Sequence, residues 1–239
     1  MAPLTGKRCL ITGASSGIGL AIAQRLAQDG ARLALVSRSK ERLAAAVAAL
    51  PPAAPPPLPL VGDITRAADV DRIVAKALES LGGIDVLVNA AGAAAFLPVG
   101  EMAEAQWDQV LDANLKAVFL MCHRVVPGML AAGSGDIVNI GSIAAHQGFE
   151  NSTAYCASKH GLLGFSRALA LEVRKKGLRI ITVSPGSVDT PLWDATAWSP
   201  DRTKMLHASD IAEAVAAALS LPRRATVDEL IVMPKDGVL

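Results

Sequence analysis

The sequence predicts an α/β fold in which a seven-stranded parallel sheet carries helices on both faces. Three observations predict it. Short β-branched runs alternate with longer Ala/Leu-rich stretches along the whole 239-residue chain. Such alternation requires right-handed crossovers, and these make the sheet parallel. The chain is 51% hydrophobic and only 19% charged, with aromatics at 3%. Its apolar mass is therefore aliphatic, as strands buried on both faces require. Finally, a strand runs into Thr12-Gly13-Ala14-Ser15-Ser16-Gly17-Ile18-Gly19 and straight on into a helix. That is the first turn of a doubly wound, Rossmann-type sheet.

The elements follow in order. Strands are predicted at 8–12, 32–37, 58–62, 85–89, 136–141, 178–183 and 228–233, with helices near 17–29, 40–50, 66–81, 104–132, 152–176 and 209–221. After the first strand, Gly13 makes the tight turn, Gly17 lets backbone approach a pyrophosphate, and Gly19 permits close helix–strand packing. The helix N-terminus then offers free N–H groups and a partial positive charge to phosphates. The second strand closes on Ser37-Arg38-Ser39-Lys40, with no carboxylate before Glu41. A carboxylate there would hold an adenosine ribose 2′-hydroxyl and repel a 2′-phosphate. Arg38 suits a 2′-phosphate instead, supported by Ser37, Ser39 and Lys40, which points to NADP(H). The other reading is a solvated basic turn. Residues 51–59 are rich in proline and cannot be helical; they read as a stiff surface connector into the third strand.

Asp63, after the third strand, stands where an adenine amino group could be met. Asn89-Ala90-Ala91-Gly92, after the fourth, places small residues where backbone passes close to a cofactor. Either also reads as ordinary punctuation at a strand end. Asn114 interrupts an apolar helix, and Ser142 follows the fifth strand; alone, each reads equally as a helix-bending and a turn residue. Tyr155, the one tyrosine of the chain, is followed four positions later by Lys159. That spacing sets phenol and ammonium about 40° apart around a helix. A neighbouring cation favours phenolate, so the expected phenol pKa is lowered toward neutrality. The longest irregular stretch, 184–207, reads as a lid or a disordered loop.

Other classes are disfavoured. A net charge of +1 with no Lys/Arg tract suits neither nucleic acid nor an anionic membrane. No apolar run is long enough to span a bilayer, and no secretory signal core opens the chain. Cys9, Cys122 and Cys156 have neither disulfide nor metal spacing. The cytoplasm is the expected location. One domain is expected over 1–239, with a cofactor half to about 140 and the catalytic helix and substrate loop beyond it.

The ordered set Thr12–Gly19, Asp63, Asn89–Gly92, Asn114, Ser142, Tyr155/Lys159 and Pro185-Gly186-Ser187-Val188-Asp189-Thr190 resembles the classical short-chain dehydrogenase/reductase family. The likeness runs from about Lys7 to Thr190. It implies a catalytic tetrad of Asn114, Ser142, Tyr155 and Lys159, with Tyr155 as proton donor to a ketone reduced by NADPH. It further implies cofactor contacts at Gly13, Ser15, Ser16, Gly17, Ile18, Gly19, Ser37, Arg38, Asp63, Ile64, Asn89, Ala90, Ala91 and Gly92. Tyr155, Lys159, Pro185, Gly186, Val188 and Thr190 complete that set. Two departures stand out: Ala90 replaces a common second asparagine, and the ending after Ala225 lacks the Tyr-Ile-Thr-Gly segment of many acyl-carrier-protein ketoreductases. The ending is more similar to members acting on small carbonyls or hydroxy acids.

By position in the family plan, substrate contacts are expected from Ser142, His146, Phe149, Trp193 and Trp198, with Ala94, Phe96, Ile143 and Ser187 nearby. His146 reads equally as a loop-packing residue, and the two tryptophans as a lid or as anchors for their loop. The expected substrate is a small, mostly apolar ketone or secondary alcohol. A 3-oxoacyl thioester on an acyl carrier protein is the alternative, although residues 129–135 carry no positive charge to meet an acidic carrier. A non-catalytic NADP(H)-binding sensor is a third reading. A homotetramer, or a homodimer, is expected through the two long helices.

Overall fold

The structure is a computed structural model and describes residues 4–52, 54–195 and 201–237. The chain begins with β1 (Arg8–Thr12), α1 (Gly17–Gln28), β2 (Arg32–Ser37), α2 (Lys40–Ala48), β3 (Leu58–Val61), α3 (Ala67–Leu81) and β4 (Val86–Asn89). It continues through α4 (Glu104–Leu111), α5 (Ala117–Ala131), β5 (Gly135–Ile140), α6 (Thr153–Val173) and β6 (Leu178–Pro185). Last come β7 (Val188–Asp189), β8 (Leu206–His207), α7 (Ala208–Leu219) and β9 (Glu229–Val232). The seven-stranded sheet has the order β3-β2-β1-β4-β5-β6-β9 with parallel pairing throughout. The chain thus winds outward from β1 to β3, then returns to β4 on the other side of β1. Ligands of such sheets bind where the winding reverses, here beyond the carboxyl ends of β1 and β4.

Two apolar layers sandwich the sheet, and strand alternation sorts residues between them. Cys9 and Ile11 of β1 face one layer with Ile22 and Leu26 of α1 and Ile211 and Val215 of α7. Leu10, between them, faces the other, with Ile73 of α3, Met121 of α5 and Leu162 of α6. Helix α3 shows why such segments are helical: Val70, Ile73, Val74, Ala77 and Leu81 fall on one buried face. Gly82 stops it in the left-handed region at φ 78°. Pro59 lies in β3, an edge strand, where a missing N–H is tolerated.

Two expectations change. The helix predicted over 104–132 is not continuous: a π-helical turn, Asp112–Lys116, separates α4 from α5. The stretch 184–207 is not wholly irregular, because β7 and β8 pair in parallel, Val188 with Leu206 and Asp189 with His207. Strands of two residues carry no readable period. Among the described residues, no helix is long and apolar enough to cross a membrane, and no cluster of side chains could hold a metal ion.

Candidate active site

The turn after β1 is built for close backbone approach. Gly13, at φ +66°, lies so near the fourth-strand loop that a Cβ would sit 2.7 Å from the Ala91 backbone. A Cβ on Gly19 would lie 2.4 Å from the Gly13 carbonyl oxygen. Thr12 Oγ1 accepts from the N–H groups of Ala90 (3.2 Å) and Ala91 (3.3 Å), tying the two loops together. The first bond of α1 runs from Leu20 N to Ser16 O, and the Ser16 side chain caps nothing. The N–H groups of Gly17, Ile18 and Gly19 therefore lack intrahelical partners. Ser37 Oγ donates to Ser15 Oγ at 2.8 Å across the same crevice. Arg38 is exposed and has no hydrogen-bond or ion-pair partner among the described residues. This donor set, a glycine cradle under a bare helix N-terminus with an uncommitted guanidinium beside it, fits a dinucleotide phosphate.

Other expected contacts are placed differently. Asp63 Oδ1 accepts from Thr65 N (3.0 Å) and Thr65 Oγ1 (2.8 Å), so only its second oxygen faces elsewhere. Ile64 is buried beside it. The Asn89 side chain points into the protein, donating to Asn139 Oδ1 at 2.9 Å, while its own Oδ1 is buried without a partner. What Asn89 offers a cofactor is backbone. Gly186 donates to Val232 O at 2.8 Å and follows Pro185 at the end of β6. The Thr190 side chain closes over the glycine turn, 3.2 Å from where a Gly17 Cβ would stand.

The structure brings Ser142, Tyr155 and Lys159 together, while Asn114 meets α6 at Ser158, the residue before Lys159. Ser142 leaves β5 in extended backbone and starts a 3₁₀ turn, Ile143–Ala145, its Oγ accepting from Ala144 N at 3.1 Å. Its hydroxyl faces the Tyr155 phenol closely enough to favour phenolate. Burial of the phenol opposes this more strongly, so Tyr155 titrates above its ordinary value. The sequence pointed the other way. Lys159 Nζ is 5.7 Å from the phenol ring centroid and donates to Ile140 O at 2.9 Å. Burial lowers its own pKa to about 8. Desolvation thus outweighs the Ser142 hydrogen bond at the phenol.

Asn114 lies in the π turn, 1% exposed. Its Oδ1 accepts from Ala93 N (2.8 Å), and its Nδ2 donates to Ala93 O and Ser158 Oγ, both at 2.9 Å. The widened turn aims this side chain at the fourth-strand loop and α6 together, which is why the helix is not regular there.

On the substrate side, His146 is exposed and its ring is engaged by a carboxylate. Its Nε2 is 2.6 Å from Glu229 Oε1, which also accepts from Ser184 Oγ at 3.1 Å, and Arg167 holds the other carboxylate oxygen at 3.1 Å. Nothing near His146 in the sequence signals Glu229. Phe96 stands edge-on to Tyr155 (5.8 Å, 65°) and stacks on Trp193 (5.8 Å, 15°). The indole N–H of Trp193 donates to Val188 O at 2.8 Å. Phe149 is partly buried in the loop before α6, and Ile143 partly buried in the 3₁₀ turn. Trp198 lies outside the described residues.

Comparison with known proteins agrees with this geometry. A profile of the short chain dehydrogenase family matches residues 7–199. An uncharacterized oxidoreductase of Staphylococcus aureus (strain USA300) is 35% identical over 234 residues, 98% of this chain and 100% of the relative. The crystal structure of a metagenomic short-chain oxidoreductase in complex with NADP superposes with a TM-score of 0.86 at 33% identity, covering 98% of this chain and 99% of that one. Levodione reductase superposes with a TM-score of 0.89 at 33% identity, covering 96% of each chain. The chain belongs to the short-chain dehydrogenase family and is an oxidoreductase of the Rossmann-fold type.

Proposed function

We propose that the protein interconverts a small, mostly apolar ketone and its secondary alcohol with NADP(H) as the redox partner. The observation that carries the reading is the Ser142 hydroxyl against the Tyr155 phenol, with Lys159 one helical turn on, beside the glycine cradle. When bound, NADPH supplies the hydride that a carbonyl carbon receives, and NADP⁺ accepts it in the reverse direction. Tyr155 gives its phenolic proton to the carbonyl oxygen, so ketone, hydride and proton become the alcohol. Ser142 hydrogen-bonds that oxygen and holds it in line with the phenol. Lys159 holds ribose hydroxyls and, as a cation, favours the phenolate that Tyr155 becomes when its proton leaves. The Asn114 side chain is committed to Ala93 and Ser158. A relay water held by Asn114 toward Lys159 would therefore not use that side chain.

Arg38 supports the phosphorylated cofactor, because an exposed, uncommitted guanidinium suits a 2′-phosphate. Similarity to an NADP complex and to a levodione reductase supports the same reading. We also propose a homotetramer, or a homodimer, on faces of α4, α5 and α6 that leave Trp107, Phe119 and Leu171 exposed.

The test is Tyr155→Phe. Carbonyl reduction, assayed with NADPH and NADH side by side, falls at least about a hundredfold, the scale of a lost general acid. NADPH binding, followed by its fluorescence, persists. Substantial turnover in the purified variant would remove the phenol from the reaction, and equal rates with NADH would remove the role of Arg38.

A further inference from the structure

We infer that Phe96 and Trp193 form a fixed aromatic wall beside Tyr155 that selects uncharged, ring-bearing ketones, aryl or alicyclic, and the matching secondary alcohols. The inference rests on the carbonyl-reductase reading above and specifies its substrate.

The chain uses aromatics sparingly, with four phenylalanines, three tryptophans and one tyrosine. None of its largest fully buried side chains is aromatic; that role belongs to Leu, Ile and Met. Yet Tyr155, Phe96 and Trp193 stand in one row, each ring centroid 5.8 Å from the next. Phe96 comes from the loop after β4 and Trp193 from a 3₁₀ turn, Pro191–Ala195, and both are only partly buried, so they are not core. A ketone whose oxygen meets the Tyr155 hydroxyl puts its substituents within reach of Phe96. The two rings lie within 15° of parallel. At that spacing no third ring fits between them, so a substrate lies against the row. Aryl and saturated rings present flat apolar surface or C–H edges to such a wall, and lose little freedom there because they are rigid.

The wall is held in advance. Trp193 donates from its indole nitrogen to Val188 O and from its backbone to Thr190 O. The next residue, Asp194, is tied by Arg202, which also holds Asp189 at 3.1 Å. Charge makes the second half of the selection. Arg202 is committed to those two carboxylates, and Arg167 and His146 to Glu229. A carboxylate-bearing substrate finds no uncommitted cation among these groups, and the Asp189, Asp194 and Arg202 cluster keeps one net negative charge near Trp193. This narrows the substrate away from hydroxy acids.

The test compares four ketones with NADPH: acetophenone, cyclohexyl methyl ketone, 2-octanone of the same carbon count, and 4-acetylbenzoate. Both ring ketones are expected to exceed 2-octanone in kcat/KM by about tenfold or more, and 4-acetylbenzoate to fall below acetophenone by a similar factor. In Phe96→Leu and Trp193→Leu the ring-to-chain ratio shrinks by about two- to tenfold, mainly through KM, the size of an aromatic contact. Trp193→Phe retains most of it. NADPH binding reports that each variant is folded. An unchanged ratio in variants that bind NADPH, or a wild-type preference for 2-octanone or 4-acetylbenzoate, overturns the wall. No turnover of any of the four with NADPH bound overturns the carbonyl-reductase reading itself, and the wall with it.

Discussion

Tyr155 is the one tyrosine of the chain, so its phenol titrates without interference from another. Burial holds that phenol above its ordinary value, and Ser142 only partly opposes it. In the cofactor-free protein the onset of phenolate absorbance is therefore expected at higher pH than for a solvent-exposed tyrosine. Saturation with NADP⁺ brings a cationic ring to the site and lowers that onset by at least one unit, about 1.36 kcal/mol of added preference for phenolate. An onset that stays put on saturation would show that cofactor charge does not favour phenolate at Tyr155. The sequence made Tyr155 and Lys159 legible because their spacing is local. It left the direction of the shift open to error, because desolvation depends on what covers the ring. His146 makes the same point: its partner Glu229 lies 83 residues away.

At the scale of elements, pattern reading succeeded where the period is long and failed where it is short or broken. The strands and the apolar face of α3 announce themselves through alternation and 3.6-residue spacing. The π turn at Asp112–Lys116 does not, since its residues suit an ordinary helix and only Asn114 looks out of place. Three hydrogen bonds from that side chain join the fourth-strand loop, the π turn and α6. Asn114→Ala is expected to leave buried partners unsatisfied and destabilise the protein by about 1–3 kcal/mol. Urea unfolding would register this as a lower midpoint at unchanged slope. A loss confined to turnover, with stability intact, would mean that Asn114 positions a proton relay without bracing the loop.

The molecule as a whole is a sheet whose winding reverses between β1 and β4, and that reversal brings the glycine turn, the fourth-strand loop and α6 around one crevice. The parallel sheet followed from the alternation of elements, but its strand order and the ties between distant strands did not. Arg179 and Asp136, both buried, pair through two hydrogen bonds of 2.7 and 3.0 Å across β5 and β6. Arg179 also donates to Leu219 O, at the end of α7. On the outside, Leu171 is 79% exposed and Phe119 48% exposed, large apolar side chains left to water. Solution scattering is expected to return the mass of a tetramer, or of a dimer, and the double variant Phe119→Glu/Leu171→Glu to lower it. A monomeric mass for the unaltered protein would place the assembly elsewhere or nowhere.

Sequence alone determined the alternation of strands and helices, the glycine turn that opens the cofactor crevice, and the polar residues expected to do the chemistry. Each is written in local spacing or in the order of motifs, which survives without coordinates. Tertiary structure alone decided that His146 is held by Glu229, that the ligand-free phenol is raised in pKa, and that Phe96 and Trp193 stand in a row with Tyr155. Those outcomes depend on which surfaces meet through space, and on the water excluded when they do.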